Sequence, residues 1–308
     1  MSIARRVPRE VAPAAPSLDF LERESTLGPL LMIPGSLFLI VFIAYPFFLG
    51  IWLSLTDSTI GNLGHFVGLQ NFVSLIGSDS IFQQTLRNTI VYSFLTVPFK
   101  LVLGLGLALL LNERISMRNT LRAAFLLPWI VPTALSSLAW LMLFDSVLSP
   151  MSWLLRSLGL IQSNVAFLGD PTLAMGALVV ANIWRGIPLF AIAILAGLQA
   201  VARDQIEAAA IDGAGPWQRF RAITLPVILG ITVITTLFSV IWTFSDFQLI
   251  YVLTKGGPAN STHVLGTYAY QIGLNATQIG QGAAISLYMF PFLAIFAAVL
   301  LVFLRREE

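Results

Sequence analysis

The chain has 308 residues, 57% of them hydrophobic and 10% charged, against about 25% charged in an ordinary soluble domain, so most of it must be solvated by lipid. A net charge of +2 and an isoelectric point near 9.1 come without any stripe of Lys or Arg interleaved with exposed aromatics, so no nucleic-acid partner is expected. The absence of cysteine excludes disulfides and thiolate metal sites.

Residues 1–29 are rich in Pro, Ala and charge, have no apolar run of their own, and read as a flexible cytoplasmic tail and not a cleaved signal. A transmembrane helix needs ~20 apolar residues. Stretches of that length lie near 30–55, 86–111, 121–144, 172–199, 224–252 and 278–304. The predicted fold class is all-α: a polytopic membrane protein with six transmembrane helices within 30–304, and 305–308 as a cytoplasmic C-terminus. The segments 56–84, 145–171 and 253–277 between spans are too short for substantial independent domains. Six spans put both termini on one side. On that side fall Arg5, Arg6, Arg9, Arg23, Arg114, Arg118, Arg122, Arg203, Arg219, Arg221, Arg305 and Arg306; Arg156 and Lys255 fall on the other. The positive-inside rule makes the first side cytoplasmic.

Signatures of catalysis are missing. There is no G-x-x-x-x-G-K-[ST] loop for ATP, no G-x-S-x-G elbow and no H-E-x-x-H helix. His65 and His263 sit in external segments without a carboxylate or cysteine at ligand spacing, and read as solvated side chains.

Polar residues within the spans are costly and face protein or water. Ser239, Trp242, Thr243 and Asp246 lie at i, i+3, i+4 and i+7, one face of the fifth span. Hydroxyls and a carboxylate beside one aromatic ring suit a sugar; they equally suit an interhelical polar seam. On the solute reading Asp246 is wet and not packed. Asn182, Gly186 and Leu189 share a face of the fourth span, with Trp184 and Arg185 beside them. Arg185 reads as pairing with Asp246 or another intramembrane acid, and Lys100 as snorkelling toward an interface. Gly104 with Ala108, and Ala193 with Gly197, have the small-xxx-small spacing of close helix packing.

Between the fourth and fifth spans lies Glu207-Ala208-Ala209-Ala210-Ile211-Asp212-Gly213-Ala214-Gly215. Asp204 and Glu207 read as an N-cap and its capping-box partner, Gly213 as a left-handed stop, and Pro216 as the opening of a second short helix. On that helix Trp217, Phe220 and Ile223 form an apolar stripe, a knob suited to another protein.

Glu207-Ala208-Ala209 followed after three residues by Gly213 resembles the cytoplasmic signature of permease subunits of ATP-binding-cassette importers. The likeness continues through Phe220 to Pro226. Phe66-Val67-Gly68-Leu69-Gln70-Asn71-Phe72 and Leu253-Thr254-Lys255-Gly256-Gly257-Pro258 resemble segments of the carbohydrate, maltose-type branch. The resemblance implies a type I ABC importer transmembrane-domain fold in a bacterial inner membrane. It also implies two ABC ATPase subunits that bind ATP and Mg in place of this chain, a homologous second permease, an extracytoplasmic solute-binding protein and a sugar-like solute. Within a coupling loop at 200–223, Glu207, Ala208, Ala209, Asp212, Gly213, Trp217 and Phe220 would meet the ATPases. The solute-path positions of maltose-type relatives fall on Asn182, Gly186, Leu189, Ser239, Trp242, Thr243 and Asp246, with Leu189 where an aromatic can occur and Asp246 in place of an amide. Apart from the resemblance, Asp246 and Arg185 admit a second function, an ion-coupled secondary transporter, which leaves the 207–215 loop without a role. An intramembrane enzyme lacks a nucleophile and base.

Overall fold

The computed structural model describes residues 24–113 and 117–305. Most of the expected tail lies outside them, as do Arg5, Arg6, Arg9, Arg23, Arg114 and Arg306 of the charge argument. Among the described residues the regular structure is helical, with two isolated β-bridges, Thr56 to Phe66 and Thr59 to Asn62.

The chain divides into two compact units, Met1–Gly50 and Ile51–Glu308. α1 (Glu24–Leu39) passes through a π-helical turn (Ile40–Ala44) into α2 (Tyr45–Ser54), whose last four residues belong to the second unit, so Leu27–Ser54 is one run long enough to span. The widened turn lies just before Pro46, whose ring and missing N–H do not fit a regular helical interior. Leu31, Phe42 and Phe48 are exposed, as on a helix solvated by lipid.

The second unit continues with α3 (Gln70–Gly77), α4 (Ser80–Asn112), α5 (Arg118–Ile130), α6 (Thr133–Leu143), α7 (Pro150–Ser157) and α8 (Pro171–Gln199). It ends with α9 (Arg203–Ile211), α10 (Pro216–Arg219), α11 (Leu225–Phe244), α12 (Gln248–Leu253), α13 (Leu265–Tyr270), α14 (Ile279–Leu287) and α15 (Met289–Leu304). Ser80–Asn112, Pro171–Gln199, Pro216–Phe244 and Ile279–Leu304 are long and apolar enough to cross a bilayer. Asp79 caps α4 by accepting from the N–H groups of Ile81 and Phe82, and Asp170 caps α8 by accepting from those of Thr172 and Leu173.

Two expected spans differ from the prediction. The third is broken: Asn119–Ile130 and Thr133–Leu143 meet at 91°. Pro132 explains it, because a residue before proline is driven out of the helical region, and Val131 stands at ψ 129°. Among the described residues there are five continuous runs, and a sixth crossing when the bent pair is counted as one. The fifth span, expected over 224–252, begins at Pro216, passes a π-helical turn (Phe220–Thr224) ahead of Pro226, and stops at Phe244. Ser245 leaves helical geometry at φ −95°, ψ 8°, and α12 starts afresh.

α4 and α8 form the most extensive helix pair, and α11 packs on both. The buried face of α4 reads Thr85, Thr89, Tyr92, Thr96, Lys100, Gly104, Ala108 and Leu111, steps of three and four residues, while Phe94, Phe99 and Val102 are exposed. Thr89 and Thr96 donate to the carbonyls of Thr85 and Tyr92, both at 2.8 Å, which satisfies their hydroxyls within the helix. The small residues serve packing as expected. The Phe190 side chain of α8 fills the place a Cβ would take at Gly104, and Ile231 of α11 lies 2.9 Å from such a Cβ at Gly197.

One expected solvated side chain is buried. His263 is 2% exposed, with Nδ1 3.2 Å from Thr267 Oγ1 and its ring where a Cβ on Gly256 would stand. Gly256 has φ +88°, so the Thr254–Pro258 segment needs glycine there for both conformation and space.

Two measurements check this packing. Gly104→Ala should lower the melting temperature of the detergent-purified protein by the equivalent of about 1–3 kcal/mol of overpacking, whereas Gly106→Ala, with open space around it, should not. Burial holds the His263 imidazole down to about 4 from its ordinary 6.5. The unfolded chain then binds the extra proton first, so the ring's contribution is complete above pH 6.5 and lost as pH falls toward 4. Over that interval the melting temperature should fall more steeply for the wild type than for His263→Asn; parallel curves would show that the ring is not held neutral.

Candidate functional site

The loop between the fourth and fifth spans is built by its helix ends. α9 closes with Gly213 N–H on Ala210 O at 3.2 Å and Ala214 N–H on Ala209 O at 2.9 Å, the paired bonds of a Schellman stop. Gly213 stands at φ +83°, as its expected role requires. The expected capping box is not formed: α9 is preceded by Ala202 with no side-chain cap, and Asp204 lies within its first turn, where a carboxylate meets the positive end of the helix dipole. Pro216 opens α10, and the N–H of Gly215 donates to Gln218 Oε1 at 2.8 Å. This second helix is not a short separate piece, since it runs on into α11.

Two large apolar side chains of this loop are well exposed. Ile211 is 88% and Trp217 70% exposed, and the Trp217 ring stacks on Phe220 with centroids 5.6 Å apart. Glu207, Ala208 and Asp212 are exposed, while Ala209 and Phe220 are half-buried.

The second candidate site lies where α4, α8 and the end of α11 meet. Asp246 sits in the break between α11 and α12, its N–H still bonded to Thr243 O at 3.2 Å. Its Oδ2 accepts from Asn182 Nδ2 at 2.7 Å, from the Tyr92 hydroxyl at 3.0 Å and from the Arg185 guanidinium at 3.2 Å. The expected Arg185 pairing is thus present. The expected wet carboxylate is not: Asp246 is 6% exposed and saturated at one oxygen, because three donors converge there and replace water. Lys100 does not snorkel either. It is 4% exposed and donates to Thr243 Oγ1 at 2.9 Å, with its stem passing over Gly186.

The predicted path residues do not all gather. Asn182, Gly186, Thr243 and Asp246 come together through these contacts, and Ser239 is buried on the same helix as Thr243. Trp242 turns away, half exposed, with its ring 5.4 Å from that of Trp129 on α5. A face drawn through Trp242 and Asp246 assumed a helix that continues past Phe244. Leu189 is half-buried, and Trp184 packs edge-on against Trp140 of α6 at 5.6 Å. Sequence reasoning missed Tyr92, although Thr85, Thr89, Tyr92, Thr96 and Lys100 form a polar row at helical spacing along an otherwise apolar segment. Among the described residues no cluster of His, Asp or Glu could hold a metal. A separate cleft of about 260 Å³, lined by Leu111, Arg122, Phe125, Pro188, Leu195 and Gln199, lies between α4, α5 and α8.

Comparison with known proteins covers nearly the whole chain. Residues 100–307 match the family described as binding-protein-dependent transport system inner membrane component. The trehalose/maltose transport system permease protein MalF of Thermococcus litoralis is 37% identical over 91% of this chain and 94% of its own length. The sulfoquinovosyl glycerol transport system permease protein SmoG of Agrobacterium fabrum is 33% identical over 92% and 91%. In fold, the chain superposes on a bacterial ABC transporter involved in import of the acidic polysaccharide alginate, with a TM-score of 0.78 at 22% identity, covering 94% of this chain and 96% of that one.

Asp246→Ala should leave Arg185, Asn182 and Tyr92 without their common acceptor. Removing one member of a buried pair costs about 3–5 kcal/mol. A clear fall in melting temperature and in yield of folded protein is expected; an unchanged melting curve would show that the cluster does not hold these helices together.

Proposed function

We propose, since the chain belongs to the binding-protein-dependent transport system inner membrane components, that it forms half of the solute pathway of an ATP-driven importer for a sugar or sugar-like solute. A membrane-spanning transport subunit of this family needs no catalytic residue of its own, and the ion-coupled alternative has nothing further in its favour. The two relatives at 37% and 33% identity are named for transport of trehalose or maltose and of sulfoquinovosyl glycerol, and this supports a glycoside. In this reading the chain works with an extracytoplasmic binding protein, a homologous second permease and two ATPase subunits, which bind ATP and Mg in its place. It lies in a bacterial inner membrane, with its termini and the 200–223 loop cytoplasmic on the positive-inside argument.

The observation that carries the coupling role is the pair of exposed apolar side chains Ile211 and Trp217, the latter stacked on half-buried Phe220, on a loop whose turn is fixed by Gly213. Large apolar side chains held in water by a rigid turn call for a protein partner. With Glu207, Ala208, Ala209 and Asp212 beside them, they form the proposed ATPase contact. Because α10 continues into the membrane run Pro216–Phe244, ATPase closure would move that run as a rigid body and switch the pathway between inward- and outward-facing states. Asn182, Gly186, Leu189, Ser239, Trp242, Thr243 and Asp246 are assigned to the path, with Asp246 also holding α8 against α4.

Gly213→Val places a branched side chain at a left-handed position, a strain of about 1–2 kcal/mol; Glu207→Ala removes an exposed charge. In proteoliposomes holding the complete importer, both variants should assemble normally and lose most solute uptake, along with ATPase stimulation by the loaded binding protein. Wild-type uptake by both would overturn the coupling assignment, and full uptake by this chain alone would overturn the importer.

A further inference from the structure

Lys100 is a buried basic side chain whose hydrogen-bond partner is neutral. Its stem crosses α8 where Gly186 lacks a side chain: a Cβ there would stand 2.6 Å from both its Cδ and its Cε. Its ammonium donates to Thr243 Oγ1 at 2.9 Å, one N–H of the three it carries. Thr243 lies one helical turn before Asp246, so Lys100 from α4 and Arg185 from α8 reach the same end of α11. Two basic side chains stand there against one carboxylate, which Arg185 already engages. Arg185 has one bond to that carboxylate and is 22% exposed, so part of its guanidinium remains accessible.

The same place offers an acceptor with nothing to accept from. Asn182 is 1% exposed, its amide N–H is committed to Asp246, and its Oδ1 is buried without a hydrogen-bond partner. Asn182 is one turn from Gly186, over which the Lys100 stem passes. Buried orphan acceptors and unbalanced charges are both unfavourable in a membrane domain. One ligand would relieve both: an anionic group for the ammonium and a hydroxyl for the amide oxygen.

We propose that the solute is a sugar carrying one acidic group, a carboxylate or sulfonate, and that Lys100 is the residue that selects it. The inference rests on the reading of α8 and α11 as the solute path. The acidic group meets the Lys100 ammonium and balances the excess charge, while a ring hydroxyl donates to Asn182 Oδ1. A neutral sugar supplies the hydroxyl and leaves the charge unbalanced.

The test uses the purified complex of this chain with its second permease and ATPases, without the binding protein, so that selection by that protein does not enter. The probes are trehalose, maltose and cellobiose, each paired with its C6 monocarboxylate, and binding is measured by calorimetry. At least one acid should bind about tenfold more tightly than its neutral partner, since a hydrogen bond to a charged group is worth that much. Lys100→Met should erase the preference and weaken the acid alone; Lys100→Arg should keep it. Neutral sugars binding as tightly as the acids, or a preference that survives in Lys100→Met, would overturn the proposal and leave the sugar pathway standing. Binding of none of the six by the wild type would overturn the solute path and this inference with it. If Lys100→Met does not assemble, the wild-type preference and its retention in Lys100→Arg decide.

Discussion

A carboxylate inside a helix bundle that faces lipid has to find donors within the protein, and the arrangement of the transmembrane helices follows from how Asp246 does so. Hydrocarbon offers it nothing, and any water it lost must be replaced by hydrogen bonds of comparable strength. Tyr92 comes from α4, and Asn182 and Arg185 from successive turns of α8; all three meet one oxygen at the end of α11. That requirement sets the rotation of each helix about its own axis. With Tyr92 turned inward, the rest of the α4 stripe from Thr85 to Leu111 follows at helical spacing, and Gly104 is brought against Phe190. The apolar packing then secures what the polar contacts orient.

Much of this was legible in the residues. Span positions follow from length and hydropathy because a bilayer imposes both. Gly213 announced a left-handed turn, and an arginine and an aspartate on neighbouring spans announced each other. Two of the misreadings share a cause, which is local geometry that an ideal helix does not contain. Pro132 turns a continuous apolar stretch through a right angle without changing its hydropathy. Ser245 ends α11 three residues after Trp242, so the face drawn through Asp246 was extrapolated past the helix. Lys100 was read by the habit of lysines near membranes; its inward path depends on the missing side chain of Gly186, on another helix and 86 positions away. Tyr92 was passed over because a tyrosine in an apolar run reads as bulk until its hydroxyl has a partner.

The loop and the buried cluster are mechanically one object. Pro216 through Phe244 is a single helical run of 29 residues, about 43 Å at 1.5 Å per residue, with Trp217 near one end and Thr243 near the other. The π-helical turn at Phe220–Thr224 accommodates Pro226 without interrupting the run. A force on the exposed Trp217 ring is therefore delivered to the residues around Asp246 with little loss in bending. The donors on α4 and α8 oppose that displacement, so motion at one end requires rearrangement at the other.

The elbow at Val131 and Pro132 bears on how the chain sits in the membrane. A helix that starts at Thr133 opens with backbone N–H groups that have no preceding turn to bond to, and the residue ahead of it supplies no side-chain cap. Hydrocarbon does not tolerate such groups facing lipid. The bend consequently marks a flank of the molecule that acyl chains must not reach, one bathed by water or roofed by another polypeptide. With the rings of Trp129 and Trp242 in contact nearby, that flank gives the second unit a compass: it has a side it must keep from the lipid.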